Sequence, residues 1–86
     1  MKYKVIFTRR ALRDWERLSE KIQERIGKKL KDYEENPFTY ARKLTSPKIG
    51  SYRFRIGDYR VIVDIEGDEI IVLRIGHRRE IYQIGG

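Results

Sequence analysis

Hydrophobic and polar residues alternate along two neighbouring stretches in the middle of the chain, residues 52–56 and 59–63. Such alternation predicts two half-buried β-strands. Gly57-Asp58 between them predicts a two-residue hairpin turn of type II′, which takes glycine first. The turn sets the register, with residue 56 opposite 59 and residue 52 opposite 63, and opposite residues share a face. The apolar residues then form one core face, made of Tyr52, Phe54, Ile56, Tyr59, Val61 and Val63.

The other face of this hairpin carries Arg53, Arg55 and Arg60. The register sets Arg55 opposite Arg60, and like charges directly opposite each other destabilise a sheet. Three guanidiniums on one face therefore favour an anion-binding site. The alternative is the solvated face of a half-buried hairpin, which is common. We favour the anion site because a solvated face can mix its charges freely, whereas this one carries a single sign where the strands pair.

The first half of the chain predicts a strand followed by two helices. Residues 3–7 alternate as in a half-buried strand. Thr8 is expected to cap a helix that runs to about Leu18, and Ser19 to cap a second helix that ends before Pro37. The predicted buried stripes are Ala11, Leu12, Trp15 and Leu18 in the first helix, and Ile22, Ile26, Leu30 and Tyr33 in the second.

Residues 38–50 are expected to form a loop, and a second turn at Gly67-Asp68 leads into a last strand that ends at Gly76. A regular two-residue turn would put Arg74 on the core face, which has no evident reason; a bulge would move it. The same register leaves an apolar strip on the arginine-bearing face, to be covered by residues 81–84 or by a partner protein. This strip is Ile62, Ile71, Leu73 and Ile75.

These elements predict one α+β domain over residues 1–86. It has an N-terminal strand, an α-helical hairpin and a three-stranded antiparallel meander, with the helices packed on one face of the sheet. The net charge of +7 favours a polyanionic partner. With no cysteine and a single histidine, we expect no disulfide, metal or other cofactor. The N-terminus has no signal-like apolar run and no stretch reaches membrane-spanning length, so we expect a cytoplasmic protein without membrane contact.

The segment that follows the last strand, residues 76–82, carries His77, Arg78, Arg79 and Tyr82. If the ladder ends at Gly76, these side chains project over the arginine-bearing face. Arginine forks bind phosphate, tyrosine stacks on bases and histidine transfers protons near neutral pH. Singly, each residue has a structural explanation: packing, a strand-end hydrogen bond or a solvated tail. Together they favour phosphoryl chemistry on a nucleic acid. Three basic residues of the preceding loop extend this surface or serve solubility: Arg42, Lys43 and Lys48.

The chain resembles the RelE/ParE toxin superfamily over nearly its whole length, through residues 3–8, Asn36-Pro37, residues 52–62 and residues 76–82. The basic hairpin with the terminal His-Arg-Arg and Tyr resembles the RelE branch. This resemblance implies a type II toxin that cleaves mRNA in the ribosomal A site without metal, through attack of the ribose 2′-hydroxyl on the adjacent phosphate. It also implies a RelB-like antitoxin that wraps the toxin, with oligomers formed through that complex.

By the same resemblance, Arg53 and Arg55 take two basic strand positions and Arg60 stabilises the phosphate. Arg78 and Tyr82 take the positions of the terminal arginine and tyrosine. The strand positions are lysines in well-studied relatives; arginine keeps its proton, so Arg53 and Arg55 are assigned to binding and charge stabilisation. The proton carrier is then His77 or Tyr82. We favour His77 as the acid that protonates the leaving 5′-oxygen, because imidazole is the one side chain here that ordinarily gains and loses a proton near neutral pH. The remaining residues assigned to RNA binding are Arg79, Lys43 and Lys48.

Two other classes of function fit the same features. A ParE-like gyrase inhibitor would use this fold as a binding protein without catalysis. A non-catalytic RNA-binding module, or a decayed toxin, would use the basic face alone.

Overall fold

The computed structural model describes residues 2–45 and 49–81, which form a mixed five-stranded sheet with the order β1-β5-β4-β3-β2. Strand β1 is parallel to β5, and the other neighbours are antiparallel. No helix within these residues has the length and apolar character needed to cross a membrane. The elements are β1 (Lys4–Phe7), α1 (Arg9–Glu16), α2 (Glu20–Tyr33), α3 (Pro37–Tyr40), β2 (Arg42–Lys43), β3 (Tyr52–Ile56), β4 (Tyr59–Glu66) and β5 (Glu69–His77).

The two main helices begin where their caps predict. The Thr8 hydroxyl accepts from the backbone N–H of Ala11 over 3.1 Å, and the Ser19 hydroxyl accepts from Ile22 over 3.3 Å. These bonds satisfy N–H groups that have no partner inside the helix. The helices bury one stripe against the core face of the sheet, although Leu12 in the predicted stripe is 48% exposed. The buried helix residues are Ala11, Ile26, Leu30 and Tyr33.

The stretch predicted as a loop, residues 38–50, contains two short elements. Pro37 opens α3, a position that suits a residue without a backbone N–H. Strand β2 then pairs with β3, Arg42 lying opposite Arg53 and Lys43 opposite Tyr52. The prediction of a loop is therefore wrong, because this stretch contains a short helix and an edge strand. The sheet accordingly has five strands and not the predicted four.

The central hairpin has the predicted register at all five residue pairs, from Ile56 with Tyr59 to Tyr52 with Val63. Gly57 has a φ of +59°, and no non-glycine residue of the described chain has a positive φ. A positive φ at the first turn residue alone is the signature of type II′, so that prediction is also confirmed.

The last hairpin follows the predicted register only as far as Val72. Leu73 of β5 is an extra residue opposite the step between Ile62 and Val63 of β4, and this bulge shifts the ladder so that Ile62 pairs with Arg74 and Val61 with Ile75. Such an extra residue moves every later side chain to the other face. Ile75 therefore joins the buried core, and the placement of Arg74 on the core face is wrong.

The apolar strip predicted on the arginine-bearing face is covered by the chain itself. Ile62 is fully buried, and a Cβ built on Gly50 would lie 2.5 Å from its Cγ2 and 3.0 Å from Cδ1 of Leu73. Gly50 is thus packed directly on this face, where a side chain would not fit. Further along, the buried Ile81 packs over Gly76, with 3.1 Å between its Cδ1 and a Cβ built there. Of the two expected covers, the C-terminal segment is thus present at Ile81; Ile62 is covered by Gly50, and the placement of Ile75 in this strip is wrong because Ile75 lies in the core.

Candidate nucleic-acid interface

The arginines of the hairpin lie on the face of the sheet opposite the core. One ladder row runs through Arg42, Arg53, Ile62 and Arg74, and the next through Arg55, Arg60 and Gly76. Arg42 was expected only as a loop residue that extends the surface or serves solubility, and its place on a strand was missed because two residues are too few to show strand alternation. Its pairing with Arg53 extends the positive row to the edge of the sheet.

Arg60 is the most constrained cation of this face, with only 6% of the residue exposed. Its Nη1 donates to the backbone carbonyls of Gly57 over 3.1 Å and of Tyr59 over 2.9 Å. The Nε is buried and has no hydrogen-bond partner among the described residues. Buried donors without an acceptor are rare and costly, above all on a charged group. An anion bound at Arg60 would supply the missing acceptor and the missing negative charge.

Arg78 is attached to the same hairpin turn. Its backbone N–H donates to the carbonyl of Asp58 over 2.7 Å, and its Nε lies 3.8 Å from the Asp58 Oδ1. Both side chains of this ion pair are well exposed, so the pair is weak and open to exchange. The backbone bond nevertheless fixes Arg78 next to the turn that holds Arg60.

His77 lies on the other face. Strand β5 does not end at Gly76 as expected but continues to His77, which pairs with Tyr59. The two rings meet edge to face with 5.6 Å between their centroids, and Tyr59 packs against the core cluster. The Nδ1 of His77 accepts from the backbone N–H of Arg79 over 3.2 Å. The structure therefore separates the imidazole from the arginine-bearing face and places it where it holds the turn after β5.

The remaining predicted residues divide by position. Arg53 is half-buried and Arg55 is exposed, both on the arginine-bearing face. Arg79 is exposed in the turn after β5. Lys43 is exposed but pairs with Tyr52, so the register puts it on the face opposite Arg53. Lys48 and Tyr82 lie outside the described residues.

Comparison with known proteins identifies the family. The sequence profile of a family described as the ParE toxin of type II toxin–antitoxin systems, parDE, matches residues 5–82. Toxin RelE3 of Methanocaldococcus jannaschii is 31% identical over 92% of this chain and 94% of its own length. The mRNA interferase toxin RelE of Escherichia coli K12 is 30% identical over 95% of this chain and 92% of its own length.

A solved structure agrees with these sequence matches. A chain of the RelBE2 toxin–antitoxin complex from Mycobacterium tuberculosis superposes with a TM-score of 0.78 at 28% identity, over 91% of this chain and 100% of that chain. The basic hairpin, the five-stranded sheet and these matches lead to one conclusion: the chain belongs to the RelE/ParE superfamily of toxins of type II toxin–antitoxin systems, with a RelE-like fold.

Proposed function

We propose that this toxin is a ribosome-dependent mRNA endonuclease. In the proposed reaction a ribose 2′-hydroxyl attacks the adjacent phosphate, the bond to the 5′-oxygen breaks, and the products are a cyclic phosphate and a free 5′-hydroxyl. The observation that carries the proposal is Arg60, a buried guanidinium with an unpaired Nε on a face of like charge. The relative named mRNA interferase toxin RelE supports the same substrate class.

Each arginine has a distinct part in this proposal. Arg60 stabilises the negative charge that develops on the phosphate in the transition state, because its guanidinium is already fixed by the turn carbonyls and needs no reorganisation. Arg78, beside the same turn, stabilises the leaving 5′-oxygen. Arg53 and Arg55 bind the RNA backbone on either side of the phosphate that is attacked.

The 2′-hydroxyl proton needs an acceptor, and the leaving oxygen needs a donor. Arginine keeps its proton at neutral pH, so the arginines serve for neither transfer. His77 and Tyr82 are the two candidates. Since His77 packs against Tyr59 on the other face, we assign it a positioning role. The phenol of Tyr82 donates its proton to the leaving 5′-oxygen, solvent water accepts the proton of the 2′-hydroxyl, and the phenolate is reprotonated from solvent.

We also propose a RelB-like antitoxin as the cellular partner. A related toxin chain is found in the RelBE2 complex, and the net charge of +7 here suits an acidic segment that competes with RNA for the arginines. Because Gly50 and Ile81 already cover parts of the arginine-bearing face, such a segment would act there mainly through charge.

The test is to map transcript ends after the toxin is induced alone in cells. We expect new cleavage sites within translated coding regions, no such cleavage when translation is blocked before induction, and loss of cleavage on co-expression of a RelB-like antitoxin. Cleavage that is indifferent to translation would contradict ribosome dependence.

The family profile, described as a ParE toxin, favours one second candidate: inhibition of DNA gyrase by binding alone. The two candidates separate in a supercoiling assay with purified gyrase. Intact transcripts together with blocked supercoiling would assign the chain to this alternative. Cut transcripts with normal supercoiling would assign it to the nuclease.

A further inference from the structure

Arg25 of α2 lies against the hairpin turn, although it belongs to the helix layer. A Cβ built on Gly57 would lie 3.2 Å from each of three guanidinium atoms of Arg25: Cζ, Nη1 and Nη2. Equal distances to the three atoms mean that the guanidinium plane lies flat over the turn residue. Glycine leaves the room for this contact, and the stacked plane leaves the N–H edge of Arg25 pointing sideways, away from the turn.

Arg25 is the third guanidinium at this turn. Arg60 donates to the Gly57 carbonyl, and Arg78 lies beside Asp58 through both its backbone and its side chain. We call Arg25, Arg60 and Arg78 the turn arginines. The two turn residues carry one carboxylate, that of the exposed Asp58, which cannot neutralise all three positive charges. A shared anion would relieve their mutual repulsion.

The positive charge continues from the turn along α2. Arg25 lines a shallow groove of about 400 Å³ on the surface of α2. Three basic residues and one acidic residue line this groove, so its net charge is positive, as it is at the turn arginines. The lining residues are Lys21, Ile22, Glu24, Arg25 and Lys28.

We propose that Arg25, together with Lys21 and Lys28, binds phosphates of the RNA strand that flank the cleaved one. The RNA path then runs from the arginine-bearing face, over the turn and onto α2. Arginine suits this position because its planar fork can stack on the turn and bind a phosphate through its edge at the same time. This inference extends the proposed function and rests on it for the identity of the ligand.

The test measures binding of a fluorescein-labelled single-stranded oligouridylate by anisotropy, across a series of KCl concentrations. Each phosphate contact to a single strand contributes about 0.7 to the slope of log K against log salt. We expect Arg25→Ala to lower the slope by about that amount and to weaken binding several-fold. Arg25→Lys should keep the slope and bind less tightly, because it keeps the charge and loses the fork.

Lys31→Ala is the matched control, since Lys31 is exposed on the same helix but lines a different groove with Phe7 and Trp15. It should leave the slope unchanged. If Arg25→Ala also leaves it unchanged while Arg60→Ala lowers it, the inference is overturned and the proposed function stands. If Arg25→Ala weakens binding of polyglutamate but not of RNA, this surface is a protein site and the inference is again overturned. Binding that depends on Arg25 without cleavage on ribosomes would support an RNA path over the turn and α2 and would reject the nuclease, and with it the position of these phosphates beside a cleaved one.

Discussion

The Nε of Arg74 donates to Oδ2 of Asp14 over 2.8 Å, and its Nη2 donates to Oδ1 over 3.3 Å. The same Oδ2 accepts from the backbone N–H of Ile75 over 3.0 Å. Strand β1 pairs with β5 only as far as Val72. Further along β5, the carboxylate of Asp14 accepts the hydrogen bond of the Ile75 N–H in place of a strand partner. This carboxylate ties α1 to the part of β5 that follows the bulge.

Asp14→Ala should lower the free energy of unfolding by about 1–3 kcal/mol, because it leaves the part-buried guanidinium of Arg74 and the N–H of Ile75 without their acceptor. The side chains are only 17% and 11% exposed, so solvent screens the pair weakly. Urea denaturation monitored by circular dichroism measures the change. The double variant Asp14→Leu with Arg74→Met is the control, and it should be more stable than Asp14→Ala because no charge is left unpaired. A loss below about 1 kcal/mol for Asp14→Ala would show that this pair contributes little.

Arg60→Met should lower the rate of mRNA cleavage by about 10²–10³-fold, equivalent to about 2.7–4 kcal/mol of transition-state stabilisation. Methionine is chosen because Arg60 is almost fully buried, with 6% of the residue exposed. The unbranched apolar side chain of methionine fills part of the space of the arginine and so limits the cavity. Single-turnover cleavage on programmed ribosomes measures the rate.

Arg53→Lys should have a milder effect than Arg60→Met, since the charge survives and only the fork is lost. Arg9→Ala, an exposed arginine at the start of α1, serves as the control for net charge. Equal small losses in Arg60→Met and Arg9→Ala, with none in Arg53→Lys, would indicate diffuse electrostatic binding instead of a defined site.

His77→Ala should lower the cleavage rate less than tenfold and leave the pH profile unchanged, because the imidazole packs on Tyr59 and is separated from Arg60 by the sheet. His77→Gln tests the positioning role, since an amide can still accept from the N–H of Arg79. It should retain more activity than His77→Ala. Loss of one limb of the pH–rate profile in both variants would instead identify His77 as the proton carrier.

Tyr33 should make the fold sensitive to alkali. Burial, followed by the nearby charges of Tyr40 and Asp32, raises the pKa of Tyr33 above its usual value of 10.0. Above that pH the folded state binds more protons than the unfolded state, so stability falls as the pH rises towards and through the folded pKa. Tyr33→Phe should flatten this fall in urea titrations. Parallel curves for the two proteins above pH 10 would contradict it.

The parts of the fold that depend on short-range chemistry could be predicted from the sequence. Gly57-Asp58 fixes a two-residue turn, and the turn fixes the hairpin register and the arginine-bearing face. The bulge could not be predicted, because it accompanies a contact between Arg74 and Asp14, which are 60 residues apart. That one irregularity reverses the faces of Arg74 and Ile75, and His77 was assigned to the wrong side because the strand was expected to end at Gly76, whereas it continues and pairs His77 with Tyr59.

The contact of Arg25 with the hairpin turn could not be predicted from the sequence either. Arg25 reads as an ordinary charge on the solvated side of α2, and only the packing of helix on hairpin brings it over Gly57. Strand β2 has two residues, too few for periodicity to show, so Arg42 remained one basic loop residue among several.

The pairing of β1 with β5 has a consequence for how the protein is made. The Thr8 hydroxyl donates to the carbonyl of Leu73 over 3.4 Å, a contact between residues 65 positions apart. Strand β1 therefore has no partner on a growing chain until β5 has been synthesised, and the five-stranded sheet cannot close before then. Contacts of such long range also slow folding. The local β3–β4 hairpin that carries Arg53, Arg55 and Arg60 can pair earlier, but the complete sheet that supports this face forms only after β5 has left the ribosome.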